Sequence, residues 1–297
     1  MASEPASPVV RPAGRGDLGA IIDIAKATGQ DEDWDHVYPV YIGHLLEHGT
    51  LLVAQRDGGV TGYGATLRIG SGPDAIAMLT DLFVHPASHG AGTGRALLAR
   101  LWDGEPRKMT FSSLHAHALP LYTSFGVDAW WPLLYLQGDV GRVRMPPGWS
   151  VSGANPDRIG ELERRWTGAD RTAEHQMWAR WPDGAGIVAS LDGEAFAAGT
   201  VGGAGHEYGI SHLAVAPAAG TIGGADDEQG IARDAVLAVL ASLRPPGGQA
   251  RACLPAPHPA TRPLLGSGWR VQEFDLFMGS HFGLVDARRM VLSPALA

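Results

Sequence analysis

The chain has 297 residues, long enough for two domains of ordinary size, and its 45% hydrophobic and 18% charged content is that of a globular protein. A net charge of −8 without a basic run argues against a general nucleic-acid binder, and no apolar stretch reaches the ~18 residues that crossing a bilayer needs. A single cysteine, Cys253, excludes an internal disulfide; with no apolar run behind the opening MASEPASPVVRP, a signal peptide is not expected and a cytoplasmic location is.

In chain order, Val9 to Arg11 reads as a short strand, and Asp17 as the cap of a helix that turns Leu18, Ile21, Ile22 and Ala25 inward. Residues 30–49 are aromatic and acidic, with Asp31, Glu32, Asp33, Trp34, Asp35, His36, Tyr38 and Tyr41. Thr50 to Ala54 and Val60 to Leu67 read as strands joined at Asp57-Gly58, a hairpin signal, and Ala75 to Val84 as a third strand. That strand runs into VHPASHGAGTGRALL, Val84 to Leu98, where Gly90, Gly92 and Gly94 alternate ahead of Leu97, Leu98, Leu101 and Trp102 on one helix face.

A strand, a Gly-rich turn and a helix start suit a phosphate group. First-turn N–H groups have no intrahelical partner, and the helix dipole places partial positive charge there. A glycine cluster by itself is more often a mobile loop, and the strand and helix around it give this one its value. The spacing is not the G-x-G-x-x-G of a dinucleotide fold, and no G-K-[ST] marks a nucleotide triphosphate loop. Lys108 to Ser113 then reads as a strand, His117 to Phe125 as a short helix, and Trp130 to Gln137 as the strand that closes the unit.

The Gly-rich segment resembles motif A of the GCN5-related N-acetyltransferases, the GNAT family, in Val84, Pro86, Gly90, Gly92, Gly94, Leu97 and Leu98, with His89 where that pattern has Gln or Arg. The segment from His115 to Gly126 resembles the family's N-x-x-A-x-x-[LF]-Y-x-x-x-G pattern in Ala118, Leu121, Tyr122 and Gly126, with His115 replacing Asn. The resemblance implies an α/β fold on a mixed sheet. It also implies that backbone amides of His89, Gly90, Ala91, Gly92, Thr93, Gly94 and Arg95 hold the pyrophosphate of acetyl-CoA. Leu82, Phe83, Val84, His115 and Tyr122 would contact the rest of that co-substrate, an oxyanion being held by a main-chain N–H near Phe83 and Val84. The segment 30–49 would wall the acceptor site, where a cationic amine suits it; a solvated acidic loop with aromatics packed on the core is the alternative.

The second half repeats the order about 140 residues on, so that two tandem GNAT folds are expected, residues 1–140 binding acetyl-CoA and residues 148–297 without cofactor. ANPDRIGEL at 154–162 parallels AGRGDLGAI at 13–21, Asp192-Gly193 repeats the hairpin, SHLAVAP at 211–217 parallels TDLFVHP at 80–86, and GSGW at 266–269 parallels SFGV at 124–127. After Pro217 comes an insertion, and Gln229 to Asp234 can be aligned with His89 to Gly94, but Ala232 and Asp234 replace two glycines and Asp226, Asp227 and Glu228 add charge that repels a pyrophosphate. Leu264 stands at the position of Tyr122.

The resemblance makes Tyr122 the general acid for the departing thiolate. A tyrosine near pKa ~10 giving a proton to a thiol near ~8.5 is uphill by roughly 2 kcal/mol, so the alternative is a core aromatic whose hydroxyl only hydrogen-bonds the sulfur. An amine acceptor must lose a proton before it attacks. Asp81, three residues before Val84, is the candidate base, with a capping or ion-paired aspartate as the alternative. His85, His115 and His117 are alternative bases, since imidazole titrates in the right range, with simple packing in a loop as the other reading of each. Cys253 reads as a buried strand residue, and no metal site is expected among the 12 histidines. The expected activity is acetyl transfer to a primary amine of a small molecule or peptide, with no nucleic acid or membrane partner. The alternative is a non-catalytic acyl-CoA-binding or partner-binding protein. The second copy could also bind the acceptor or form a homodimer surface.

Overall fold

The computed structural model describes residues 7–29, 34–203, 208–217 and 224–296, apart from the side chains of 34–38, 224–227 and 246. The expectations for Asp31, Glu32 and Asp33, for the side chains at 34, 35, 36 and 38, and for the insertion through Asp227 lie outside the described residues.

The first half forms β1 (Val9–Pro12), α1 (Leu18–Ala27), α2 (Trp34–His48), β2 (Thr50–Arg56), β3 (Gly59–Ile69), β4 (Ile76–Val84), α3 (Thr93–Leu101), β5 (Lys108–Ser112), α4 (Ala118–Thr123) and β6 (Asp128–Asp139). The second half follows the same order with β7 (Trp149–Gly153), α5 (Pro156–Thr167), α6 (Thr172–Trp178), β8 (Ala185–Leu191), β9 (Glu194–Gly202), β10 (Gly209–Val215), α7 (Gly224–Ser242), β11 (Gln249–Pro255), α8 (Thr261–Gly266) and β12 (Arg270–Gly279). A two-residue β13 (Met290–Val291) comes last. No described helix is long and apolar enough to cross a membrane.

Local chemistry accounts for much of this. Both Asp-Gly pairs place two successive residues at positive φ (50° and 83°; 49° and 87°), the conformation of a tight hairpin turn whose twist matches that of its strands. In α3, Leu97, Leu98 and Leu101 are buried at i, i+1 and i+4, and Trp102 follows them into the same core. Asp17 does not cap α1 with its side chain. Its carboxylate instead takes the Gly14 N–H at 2.8 Å and the Arg11 guanidinium at 2.6 and 2.8 Å, pinning the turn before the helix.

The described strands form one sheet in the order β1-β2-β3-β4-β5-β12-β6-β11-β10-β9-β8-β7, which maps onto itself when the halves are exchanged. The centre departs from the sequence reading. β6 does not close its own unit; β12, the last long strand of the second half, lies between β5 and β6, and β6 in turn pairs with β11. Each half therefore lends its final strand to the other. Alternating hydrophobicity identifies a strand and its faces but carries no label for its neighbour, so this exchange is invisible in the pattern. Trp131 stacks on Phe277 across the seam with ring centroids 4.3 Å apart, and a single apolar cluster joins Met78 and Met109 to Leu133, Cys253 and Leu292.

Candidate active site

β4 carries one residue more than its partner. Leu79 pairs with Thr66 and Asp81 with Ala65, which leaves Thr80 as an unpaired bulge. Parallel pairing with β5 ends at Leu79 opposite Thr110, and a cavity of about 590 Å³ opens beyond that point. The His85 N–H donates back to Thr61 O on β3 at 2.9 Å. Alternation along the strand turns the Phe83 amide the same way and directs the Leu82 and Val84 amides into the gap.

Asp81 and Tyr122 both line this cavity. Asp81 is 5% exposed, and its Oδ2 accepts from the Tyr41 hydroxyl at 2.5 Å and the Thr80 hydroxyl at 2.9 Å. Burial raises its pKa to about 6, and the two hydroxyl donors hold it from going higher. Tyr122 is buried beside Trp102; burial pushes its hydroxyl pKa up, and the charges of Asp275 and Asp81 add to the shift. The far wall belongs to the exchanged strands and the second half. The Tyr135 hydroxyl on β6 donates to Asp275 on β12 at 2.5 Å, Arg251 lies over the Tyr135 ring, and Glu273 stands nearby. Burial raises the pKa of Asp275 as well. Two further polar atoms of the lining residues, Ser211 Oγ and Trp181 Nε1, are buried without a hydrogen-bond partner among the described residues.

The Gly-rich turn lies where β4 ends. Gly90 and Gly92 have φ of 76° and 79°, a left-handed conformation that strains any residue with a Cβ, and Gly92 is the N-cap of α3. No side chain caps α3, so its first N–H groups are free of side-chain partners. Arg56 donates to Ala91 O at 2.8 Å and fastens the turn to β2. His89 Nε2 lies 2.9 Å from Val84 O, so its imidazole braces the turn. Arg95 is directed away, to the Ser124 hydroxyl at 3.1 Å. His89, His115 and His117 form an exposed row with successive ring centroids 6.1 and 5.5 Å apart. Neither these nor His85 lines the cavity, which leaves Asp81 as the titratable group that the structure brings to Tyr122 from the sequence-derived set.

The repeat places Ser211 and His212 where the first half has Thr80 and Asp81, and β10 is bulged at Ser211 as β4 is at Thr80. The surroundings differ. His212 Nε2 lies 2.8 Å from Glu163 Oε1, His175 Nε2 lies 2.7 Å from Glu163 Oε2, and His175 Nδ1 lies 2.8 Å from Thr200 Oγ1. All four residues are 0% exposed, and Trp178 stacks on His212. Burial alone would raise the Glu163 pKa, but the two imidazoles outweigh it and hold the carboxyl below the ordinary range; burial lowers that of His212. The sequence reading missed this cluster because its members come from α5, α6 and β10 with no short spacing among them. It is the one group of three ligating side chains found among the described residues. Both imidazole Nε2 atoms and both carboxylate oxygens are already hydrogen-bonded to one another, which is the pattern of a proton-sharing network. The stretch from Gln229 to Asp234, aligned by sequence with the Gly-rich turn, lies inside α7 instead of before it. Leu264, opposite Tyr122 in the repeat, is fully buried in α8.

This fold has counterparts. Residues 47–127 match the family model described as the acetyltransferase (GNAT) domain. No curated protein sequence matches the chain. Among solved structures, a putative acetyltransferase from Pyrococcus horikoshii is 14% identical with a TM-score of 0.72, covering 98% of this chain and 96% of its own. A GCN5-related N-acetyltransferase from Anabaena variabilis is also 14% identical, with a TM-score of 0.61 and 95% and 75% coverage. A tandem GNAT protein from the clavulanic acid biosynthesis pathway is 15% identical, with a TM-score of 0.52, covering 94% of this chain and all of that one. At such identities the likeness is one of fold: a mixed α/β sheet of the GNAT type, shared over nearly the whole chain with a tandem GNAT protein.

Proposed function

We propose that this protein is an N-acyltransferase that moves an acetyl group from acetyl-CoA to a primary amine, with the acyl-CoA held by residues 1–140 and the acceptor pocket completed by residues 148–297. The observation that carries the reading is a set of uncapped first-turn amides of α3 at a Gly-rich turn, preceded along β4 by an opened gap lined by Asp81 and Tyr122. The pyrophosphate rests on amides of residues 89–95, and the acyl arm runs along Leu82, Phe83 and Val84. The Val84 N–H, directed into the gap, is the donor for the thioester oxygen as charge develops on it.

In the reaction, Asp81 takes a proton from the acceptor ammonium. The freed nitrogen bonds to the acyl carbon as the carbon–sulfur bond breaks, and the thiolate leaves. The overall change is R–NH₃⁺ + CH₃CO–S–CoA → R–NH–COCH₃ + HS–CoA + H⁺. The upward shift at Tyr122 keeps its hydroxyl protonated and makes full proton donation harder than at an ordinary tyrosine. Its part is therefore a hydrogen bond to the leaving sulfur, with the net proton supplied by the ammonium. Asp81, Asp275 and Glu273 favour a cationic acceptor, and Ser211 and Trp181 offer hydrogen bonds to a second polar group on it.

Acetyl-CoA should raise the melting temperature, and CoA should be released when an amine panel of alkylamines, amino acids, aminoglycosides and short peptides is added. Loss of that one hydrogen bond in Tyr122→Phe should lower turnover about tenfold. A second reading, acyl-CoA binding without transfer, draws on the same Tyr122 shift. Acetyl-CoA stabilisation without CoA release from any amine would favour it, and no stabilisation by any acyl-CoA would sink both.

A further inference from the structure

The opened gap of the first half has a counterpart in the second. β10 pairs in parallel with β11 only at Gly209 opposite Arg251 and Ile210 opposite Ala252, and after its own bulge the two strands part. This second gap is filled. β13 enters it, pairing antiparallel with β10 at Leu213 opposite Val291 and Ala214 opposite Met290. The Val215 N–H donates to Arg289 O at 3.0 Å, and the Leu292 N–H donates to Cys253 O of β11 at 3.1 Å. The segment is thus hydrogen-bonded to both strands at once. Val291 and Leu292 are 0% and 1% exposed.

The repeat makes this occupancy informative. Leu213, Ala214 and Val215 correspond to Leu82, Phe83 and Val84, and the Ala216 N–H donates to Phe196 O on β9 as the His85 N–H does to Thr61 O on β3. The Val215 amide therefore has the direction of the Val84 amide. In the first half that donor points by strand alternation into the gap beyond the last β4–β5 pair, and in the second it is taken by a carbonyl of the chain itself. We propose that residues 289–292 occupy the second half's gap in place of an acyl-CoA arm, so that the protein has one acyl-CoA site per chain. This rests on the acyl-CoA reading of the first half.

The arrangement has a consequence for the acceptor. Past the plug, Ser293, Pro294 and Ala295 line the 590 Å³ cavity of the first half, and Leu296 is fully buried in the cluster that contains Ile21 and Tyr41. The segment that fills one gap is thereby a wall of the other site. A second cavity, of about 570 Å³, is lined by Arg289, Met290 and Leu292 of the same segment together with Arg107, Trp166 and Val215.

Two measurements on the full chain test the proposal. Isothermal titration with acetyl-CoA should give one equivalent per chain for the native sequence and none for Gly92→Glu. Hydrogen–deuterium exchange should show residues 287–296 protected to the level of β10 with and without saturating acetyl-CoA, while residues 82–95 slow on its addition. Two equivalents, retained binding in Gly92→Glu, or release of 287–296 by acetyl-CoA each overturn it. If acetyl-CoA does not bind at all, the functional reading of the first half fails, and exchange of 287–296 still decides the plug: protection supports it, exchange at the rate of an open loop refutes it.

Discussion

Asp81 and His212 occupy the same place on two bulged strands, and the protein treats them in opposite ways. Around Asp81, burial is answered by two neutral hydroxyls, and the carboxylate is left costly, with a pKa of about 6. Around His212, Glu163, His175 and Thr200 form a hydrogen-bonded chain at 0% exposure, in which the imidazoles hold the Glu163 carboxyl ionised and burial disfavours the charged form of His212. One copy of the repeat thus keeps a carboxyl of raised pKa beside an open gap. The other converts that position into structure, plugs its gap with β13, and contributes the far wall of its neighbour's pocket.

The largest effect should come from Asp81→Asn. Loss of a positioned base lowers turnover by about 10²–10⁴-fold, and the rise of kcat/KM with pH through about 6 disappears. Stability should move the other way. A carboxyl whose folded pKa is raised stabilises the fold while protonated and loses that contribution as pH rises through the folded value. The shift from 3.8 to about 6 corresponds to about 3 kcal/mol, an upper bound on what Asp81→Asn regains at pH 8 in chemical denaturation. A variant both inactive and less stable at pH 8 would contradict this account of Asp81.

At the matching position, His212→Ala should cost about 3–5 kcal/mol, because it leaves the buried Glu163 carboxylate half paired. Its affinity for acetyl-CoA should change less than twofold. The sign of the pH dependence is opposite to that of Asp81: Glu163 is depressed, so its contribution is present above the ordinary carboxylate range and is lost progressively as pH falls from that range toward its lowered folded value. Denaturation curves between pH 3 and 8 should therefore show an acid-labile native protein whose acid sensitivity is reduced in His212→Ala.

At the exchange seam, a Cβ on Gly138 would stand 2.4 Å from the fully buried Trp269 ring. Gly138→Ala should destabilise by about 1–3 kcal/mol through overpacking, read as a fall in melting temperature of both halves together. The smallest effect belongs to His89→Gln. Its imidazole braces the turn through Val84 O and a glutamine amide can do the same, so acetyl-CoA affinity should fall no more than about threefold. Complete loss would mean that the imidazole itself contacts the ligand.

The two halves also differ in how readable they were. Gly90, Gly92, the paired Asp-Gly turns and the buried face of α3 act through local backbone rules, and the sequence displays them directly. Asp81 could be named as a candidate because it stands near a recognisable strand end. Tyr41 is visible in the sequence only as one of the aromatics of the segment 30–49; its pairing with Asp81, forty residues on, and the part of Asp275, from the other half, are not. The Glu163 cluster, the exchange of β6 and β12, and the occupation of the second gap are all long-range pairings. Period-2 and period-3.6 patterns specify faces, not partners, and a strand that is apolar on a sheet's central seam reads the same whichever half it joins. Gln229 to Asp234 shows the converse error: residue-by-residue alignment carried the turn into what is an uninterrupted helix, since Ala232 and Asp234 impose no positive φ.

The most direct test of the unequal halves is a crystal structure of the full chain with CoA. The account predicts one CoA, its pyrophosphate on the amides of residues 89–95 and its sulfur within hydrogen-bond reach of Tyr122, with β13 still lying between β10 and β11. A CoA bound along β10, or one whose sulfur lies outside the cavity that holds Asp81 and Tyr122, would contradict it.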